Sequence, residues 1–253
     1  GYDILPMIEP ANYRFSPGRI AWVSEYFRML AVADAVVCIS DFAKRGIVER
    51  LRRPSNLLTT VAHPGGDHIP IRKGLPPPRA TFIRVGTLEA RKMPVEILDA
   101  FIEAIDQGLQ ADLVYVGTPS ASDNFINTRI GAAIDAGYPV RWIRGTTDAQ
   151  VHELVRNSSA FLSFGVEGYG IPVLEAIRLG TPVLFGGEQP AARIVEGKGA
   201  RAVADIALLS QAFTSNLDNL RDTLQPDQVP TWKLFTECVA RSSSGMNDAS
   251  YGH

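Results

Sequence analysis

Thr81-Phe82-Ile83-Arg84-Val85, followed by a segment from about Pro94 with Leu98, Phe101, Ile102 and Ile105, and then Asp112-Leu113-Val114-Tyr115-Val116, is the stretch whose reading decides the fold. The outer runs are short, apolar and rich in β-branched residues, as buried strands are. The middle segment repeats its apolar residues at helical spacing. Strand, helix, strand is a βαβ unit, and such a crossover favours parallel pairing.

Downstream the alternation continues. The spacing predicts a helix near 123–136, a strand over Val140–Ile143, a helix near 148–156, a strand over Ala160–Ser163, a helix starting near Pro172 and a strand over Pro182–Phe185. This is the pattern of an α/β, doubly wound domain, placed at 80–225. Asp205 to Leu224 reads as helical. Pro226 and Pro230 interrupt, a helix restarts over Thr231–Val239 with Trp232, Phe235 and Val239 on one side, and residues 242–253 read as a frayed end, so 226–253 forms a crossing helix and tail.

Upstream, Pro70, Pro76, Pro77 and Pro78 among basic and polar residues mark an extended linker, with a boundary at 73–79. Before it, 1–72 reads as part of another unit: a helix over 19–33, a strand within Ala33–Ser40, a helix over 42–51 capped by Ser40 or Asp41, a strand over Thr59–Ala62 and a turn at His63-Pro64-Gly65-Gly66-Asp67. The opening residues resemble a strand end running into a loop, which suggests a fragment whose opening portion is missing.

Charged residues are 21% of the 253-residue chain and the formal net charge is −2, a balance that argues against a polyanionic partner such as nucleic acid. Cys38 and Cys238 lie in apolar runs without metal-ligand spacing, which suggests core thiols in a reducing compartment. No apolar run approaches the roughly 20 residues that span a bilayer. The chain therefore reads as cytoplasmic, and no metal is expected.

Chemistry gathers in the loops that follow the strands. Glu167-Gly168-Tyr169-Gly170-Ile171-Pro172-Val173-Leu174-Glu175 turns abruptly from loop to helix, with one carboxylate in the loop and the other in what the spacing suggests is the first helical turn. Glycines let the backbone approach a ligand, and helix-start amides favour an anion. The loop after Val85 carries Gly86, Thr87, Arg91 and Lys92. Cations beside a helix N-terminus oppose its dipole and so call for an anion. Gly117 begins the loop after Val116. Ligands of doubly wound sheets bind outside the carboxyl ends of the strands, so these loops suit a diphosphate attached to polyol rings. His63 is a possible base but more often a packing residue; His68 and His152 have no evident partner. Nucleophile-elbow, dinucleotide and Walker patterns are absent.

Phe82-Ile83-Arg84-Val85-Gly86-Thr87-Leu88-Glu89-Ala90-Arg91-Lys92, Arg144-Gly145 with Asp148, and Glu167 to Ala176 followed by Gly180-Thr181-Pro182-Val183 resemble the retaining glycosyltransferases of family 4, which have the GT-B fold. The resemblance covers about 79–225. Residues 1–70 look like the end of that family's N-terminal domain, so the implied architecture is GT-B type: a doubly wound, Rossmann-like donor domain with a partial second Rossmann-like domain.

The resemblance implies a nucleotide-sugar donor held by the C-terminal domain, an acceptor at the N-terminal one, retention of configuration, and no cofactor. Carried over by position, Arg91 or Lys92 would bind the diphosphate, Glu175 the ribose and Glu167 the transferred sugar, with the amides from Tyr169 to Ile171 against its hydroxyls or the distal phosphate. Gly86, Thr87, Gly117, Arg144, Gly145, Gly168, Gly170 and Val173 would complete the donor site, with Arg91, Lys92 and Glu167 as the catalytic set. Many relatives carry Arg where Thr87 stands, which shifts the diphosphate clamp toward Arg91 and Lys92. The implied reaction builds a polysaccharide or glycolipid, with GDP-mannose as the candidate donor and a saccharide or lipid-linked saccharide as acceptor, at the inner face of a membrane that the missing N-terminal region would contact. Two alternatives remain open: a GT-B-type nucleotide-sugar epimerase, and a truncated donor-binding module that does not turn over.

Overall fold

The computed structural model describes Leu5 and residues 17–51, 58–119 and 124–249; apart from Leu5, the opening residues compared with the family lie outside them. The C-terminal unit is built on six parallel strands, β3 (Ala80–Val85), β4 (Ala111–Val116), β5 (Val140–Ile143), β6 (Ala160–Val166), β7 (Val183–Glu188) and β8 (Ala200–Ala202), in the order β5-β4-β3-β6-β7-β8. Alternate strand residues point to opposite faces. Phe82, Leu113, Tyr115 and Leu162 therefore pack under α3 (Pro94–Asp106) and α4 (Asn124–Asp135). Ile83, Val114, Phe161 and Val183 pack under α5 (Asp148–Arg156), α6 (Ile171–Arg178) and α7 (Pro190–Ile194). Covering both faces is what lets an all-parallel sheet be almost wholly apolar.

β3 and β6 are neighbours, in register through Phe82↔Ala160 and Ile83↔Phe161, yet their helices leave to opposite faces. That is the topological switch point of a doubly wound sheet, where the outgoing loops diverge and leave a crevice.

The N-terminal unit has α1 (Pro17–Val32), β1 (Ala35–Cys38), α2 (Asp41–Leu51) and β2 (Leu58–Val61), with β1 and β2 parallel. Its core is Leu30, Val36, Cys38, Ala43 and Ile47. The segment after the turn at 63–67 runs along the C-terminal unit: Arg72 N donates to Arg178 O and Leu75 N to Arg156 O. The last helix, α10 (Trp232–Ala249), returns to the N-terminal unit, where Cys238 Sγ lies 3.6 Å from Val61 O.

Several sequence expectations are corrected. β6 runs to Val166 and β7 to Glu188, because they keep pairing through Gly165↔Gly187 and Val166↔Glu188. The stretch 205–224 is not one helix but a short 3-10 turn, α8 (Leu209–Phe213) and α9 (Leu217–Arg221). Asn216 ends the first run because its side chain accepts from Asp218 N and Asn219 N, starting a new helix. Residues 242–249 continue α10 rather than fraying.

Candidate functional site

Above the switch point lies a cleft of about 330 Å³, bounded by Ile39 on the N-terminal side and by residues of β3, β6 and α6 on the other. Of the residues singled out in the sequence, Gly86, Lys92, Glu167, Gly168, Tyr169, Gly170, Ile171 and Val173 line it. Arg91, Thr87, Gly117, Arg144, Gly145 and Glu175 are not among its lining residues.

The Glu167 loop is held from both units. Glu167 N donates to Glu188 O at 2.9 Å, extending the strand pairing by one bond. Ser40 Oγ donates to Gly168 O at 2.6 Å while accepting from Ala43 N, so the cap of α2 is also a buried tie across the units. The Tyr169 side chain is held toward the N-terminal unit: its hydroxyl donates to Pro64 O at 2.8 Å, and the ring stacks on His63 with centroids 5.8 Å apart. His63 is thus placed as an interdomain packing residue. Gly170, at φ 102, starts α6 without a side-chain cap. Pro172 has no N–H, and Val173 N is already bonded to Gly170 O. The amides on offer at this helix start are therefore those around Tyr169 to Ile171. Glu175 belongs to the second turn of α6, not the first, because the helix begins at Ile171.

The cations are gathered by two carboxylates. Lys92 Nζ lies 2.6 Å from Glu167 Oε1. Arg91 Nη1 donates to Glu167 Oε2 at 3.0 Å and to Val166 O at 2.6 Å, and Nη2 lies 2.6 Å from Glu89 Oε2. The Arg91, Lys92 and Glu167 side chains are only 9%, 18% and 21% exposed, so these are largely desolvated pairs. Burial works to raise the Glu167 carboxyl, but Lys92 and Arg91 outweigh it and hold the group below the ordinary carboxylate range. Burial pulls the Lys92 ammonium below its ordinary value, against the support of Glu167. Arg91 is consumed in fixing the loop to the end of β6, whereas Lys92 faces the cleft.

Arg84 was missed. It is buried within β3, lines the cleft, and donates to Gly86 O at 2.6 Å and Thr87 O at 2.9 Å. Burial takes its guanidinium down to about 10, still charged at neutral pH. A cation inside an otherwise apolar strand was the available signal. With Arg84 counted, three cations face the two carboxylates Glu89 and Glu167, and the site carries an excess positive charge that an anion can neutralise.

The neighbouring wall is built from loops in contact. Gly117 has φ 141, and a Cβ there would strike the Gly86 carbonyl, so this close approach requires glycine. Thr87 Oγ1 and Thr118 Oγ1 are 3.2 Å apart, Trp142 Nε1 donates to Gly117 O at 3.1 Å, and the Arg144 guanidinium stacks 3.8 Å from the Trp142 ring centroid. Glu175, by contrast, bonds His68: Oε1 lies 2.8 Å from Nε2. His68 therefore has a partner that local sequence could not supply. Among the described residues no helix is long and apolar enough to cross a membrane, and no three His, Cys, Asp or Glu side chains are grouped as metal ligands.

Residues 67–220 match the model of a family described as glycosyl transferases group 1. A serotype-specific mannosyltransferase, WbdA of Escherichia coli, is 28% identical over 286 residues, covering 95% of this chain and 32% of WbdA. The chain thus spans about a third of the length of the curated relatives it matches. Among solved structures, an α,α-trehalose-phosphate synthase (UDP-forming) from Burkholderia vietnamiensis superposes with a TM-score of 0.67 at 14% identity, covering 94% of this chain and 67% of that one. The lipopolysaccharide outer core galactosyltransferase WaaB gives 0.59 at 18%, covering 85% and 62%. At these identities the two structures speak for the fold, which is of the GT-B type.

Proposed function

The chain belongs to the glycosyl transferases group 1, and we propose that its cleft holds a nucleotide sugar whose glycosyl group is transferred, with retention of configuration, to a saccharide or lipid-linked saccharide acceptor. The observation that carries this reading is Lys92 Nζ at the cleft wall, 2.6 Å from Glu167 and beside the uncapped start of α6. A buried ammonium and helix-start amides suit a diphosphate, while a carboxylate suits sugar hydroxyls. The name of the mannosyltransferase relative supports a mannosyl group as the one transferred; GDP-mannose as donor and a polysaccharide product are carried over from the resemblance seen in the sequence. The working place is cytoplasmic, with peripheral contact at the inner face of the membrane.

In this mechanism Lys92 and the amides from Tyr169 to Ile171 take up charge as the bond from the anomeric carbon to the phosphate oxygen breaks. The acceptor oxygen bonds to the same face, and its proton passes to the departing phosphate. Glu167 holds the transferred sugar, Glu175 accepts from the ribose, and Arg91 with Arg84 keeps the loops in place.

Incubation with a panel of nucleotide sugars, with and without saccharide acceptors, tests the proposal. Nucleoside diphosphate release that requires acceptor supports transfer. Epimer formation without acceptor supports the isomerase instead, and binding without turnover supports a donor-binding module.

A further inference from the structure

His68 follows the turn at 63–67, and three segments distant in sequence meet at its ring. Asp67 Oδ1 accepts from Trp232 N at 2.7 Å, which fixes the start of α10 beside the turn. The Trp232 indole then donates from Nε1 to His68 Nδ1 at 3.3 Å, and His68 Nε2 lies 2.8 Å from Glu175 Oε1. An indole N–H can only donate, so Nδ1 must accept. The single proton of the neutral ring is thereby left on Nε2, aimed at the carboxylate.

Glu175 stands one helical turn beyond Ile171, which lines the cleft. Residues four apart share a helix face, and their side chains lean toward the N-terminus, so the Glu175 carboxylate lies over the turn that faces the ligand. We propose that His68 is a positioning residue: held as the Nε2–H tautomer by Trp232, it occupies Oε1 of Glu175 and presents Oε2 to a ribose hydroxyl of the nucleotide. This rests on the reading above that Glu175 accepts from the ribose. It ties selection of the nucleotide's sugar to α10, and through it to the N-terminal unit.

Calorimetric titration tests the inference with guanosine, uridine and adenosine diphosphates, taking the tightest binder and its 2′,3′-dideoxy counterpart as the probe pair. The wild-type chain prefers the ribose form, and Glu175→Ala abolishes the preference. His68→Ala lowers it roughly three- to tenfold, the worth of one freed side chain, without changing affinity for the dideoxy form. His68→Gln, whose amide can still donate to Glu175, retains most of it. Nitrogen-15 spectra of the wild type show His68 protonated on Nε2, and Trp232→Phe gives a mixture of tautomers. A full ribose preference in His68→Ala, with its loss in Glu175→Ala, overturns the inference and leaves the nucleotide reading standing. A preference that survives Glu175→Ala, or is absent from the wild type, overturns the reading of Glu175 itself. Protonation on Nδ1 in the wild type refutes the tautomer argument even if the His68 variants fail to fold.

Discussion

Replacing Glu167 with Gln should weaken the fold and strengthen product binding at the same time. The substitution keeps the shape of the side chain and removes the charge that faces Lys92 Nζ at 2.6 Å and Arg91 Nη1 at 3.0 Å. A hydrogen bond to a charged group contributes about 1.5–3 kcal/mol, and removing one partner of a buried pair costs about 3–5 kcal/mol. With the side chains about a fifth exposed or less, and with Gln still able to accept one bond, the expected loss is about 2–3 kcal/mol, or about 5–10 °C in Tm for a chain of this size. The wild-type carboxylate also competes with any diphosphate for Lys92. Removing that competitor should tighten nucleoside diphosphate binding by about tenfold, equivalent to about 1.4 kcal/mol, while lowering transfer because Glu167 no longer holds the sugar. Differential scanning calorimetry and isothermal titration read the two effects. Weaker diphosphate binding together with an unchanged Tm would refute the reasoning, since it would mean that the ion pairs neither support the loop nor compete with the ligand.

Other perturbations have equally definite signs. Glu167 is held below its ordinary value, so its contribution to stability is complete above about pH 4.5 and is lost as the pH falls through its lower folded value. Melts between pH 6 and pH 3 should therefore show the wild type losing more stability than Glu167→Gln. Gly165→Ala places a Cβ against the Arg91 carbonyl and Lys92 backbone at φ 88; strain and displacement together should cost at least about 3 kcal/mol in urea unfolding, with loss of donor binding. Ser40→Ala removes the bond to Gly168 O and the cap of α2, and should cost about 1–3 kcal/mol by the same measurement.

The alternation from Thr81 to Phe185 was legible because buried parallel strands are short apolar runs and their crossover helices repeat at another period. The sheet order makes β3 and β6 neighbours and so brings the Lys92 and Glu167 loops together, as the rule that ligands bind outside the carboxyl ends of the strands already suggested. β8 and α7 were not legible: three and five residues are too few to display a period. Nor was the division of 205–224, where Asn216 captures amides that a continuous helix would bond internally. Arg91 and Lys92 are adjacent and read alike, yet one ties the loop to Val166 and the other faces the cleft. That difference depends on where β6 ends. The His68–Glu175 bond spans 107 positions and had no local signal at all.

The central claim is that Lys92 faces a diphosphate in this cleft. Isothermal titration of the wild type and Lys92→Ala with nucleoside diphosphates and the matching free nucleosides tests it directly. Affinity for the diphosphates should fall about tenfold or more, while the weak affinity for free nucleosides stays unchanged. Equal diphosphate affinity in the two proteins would contradict it.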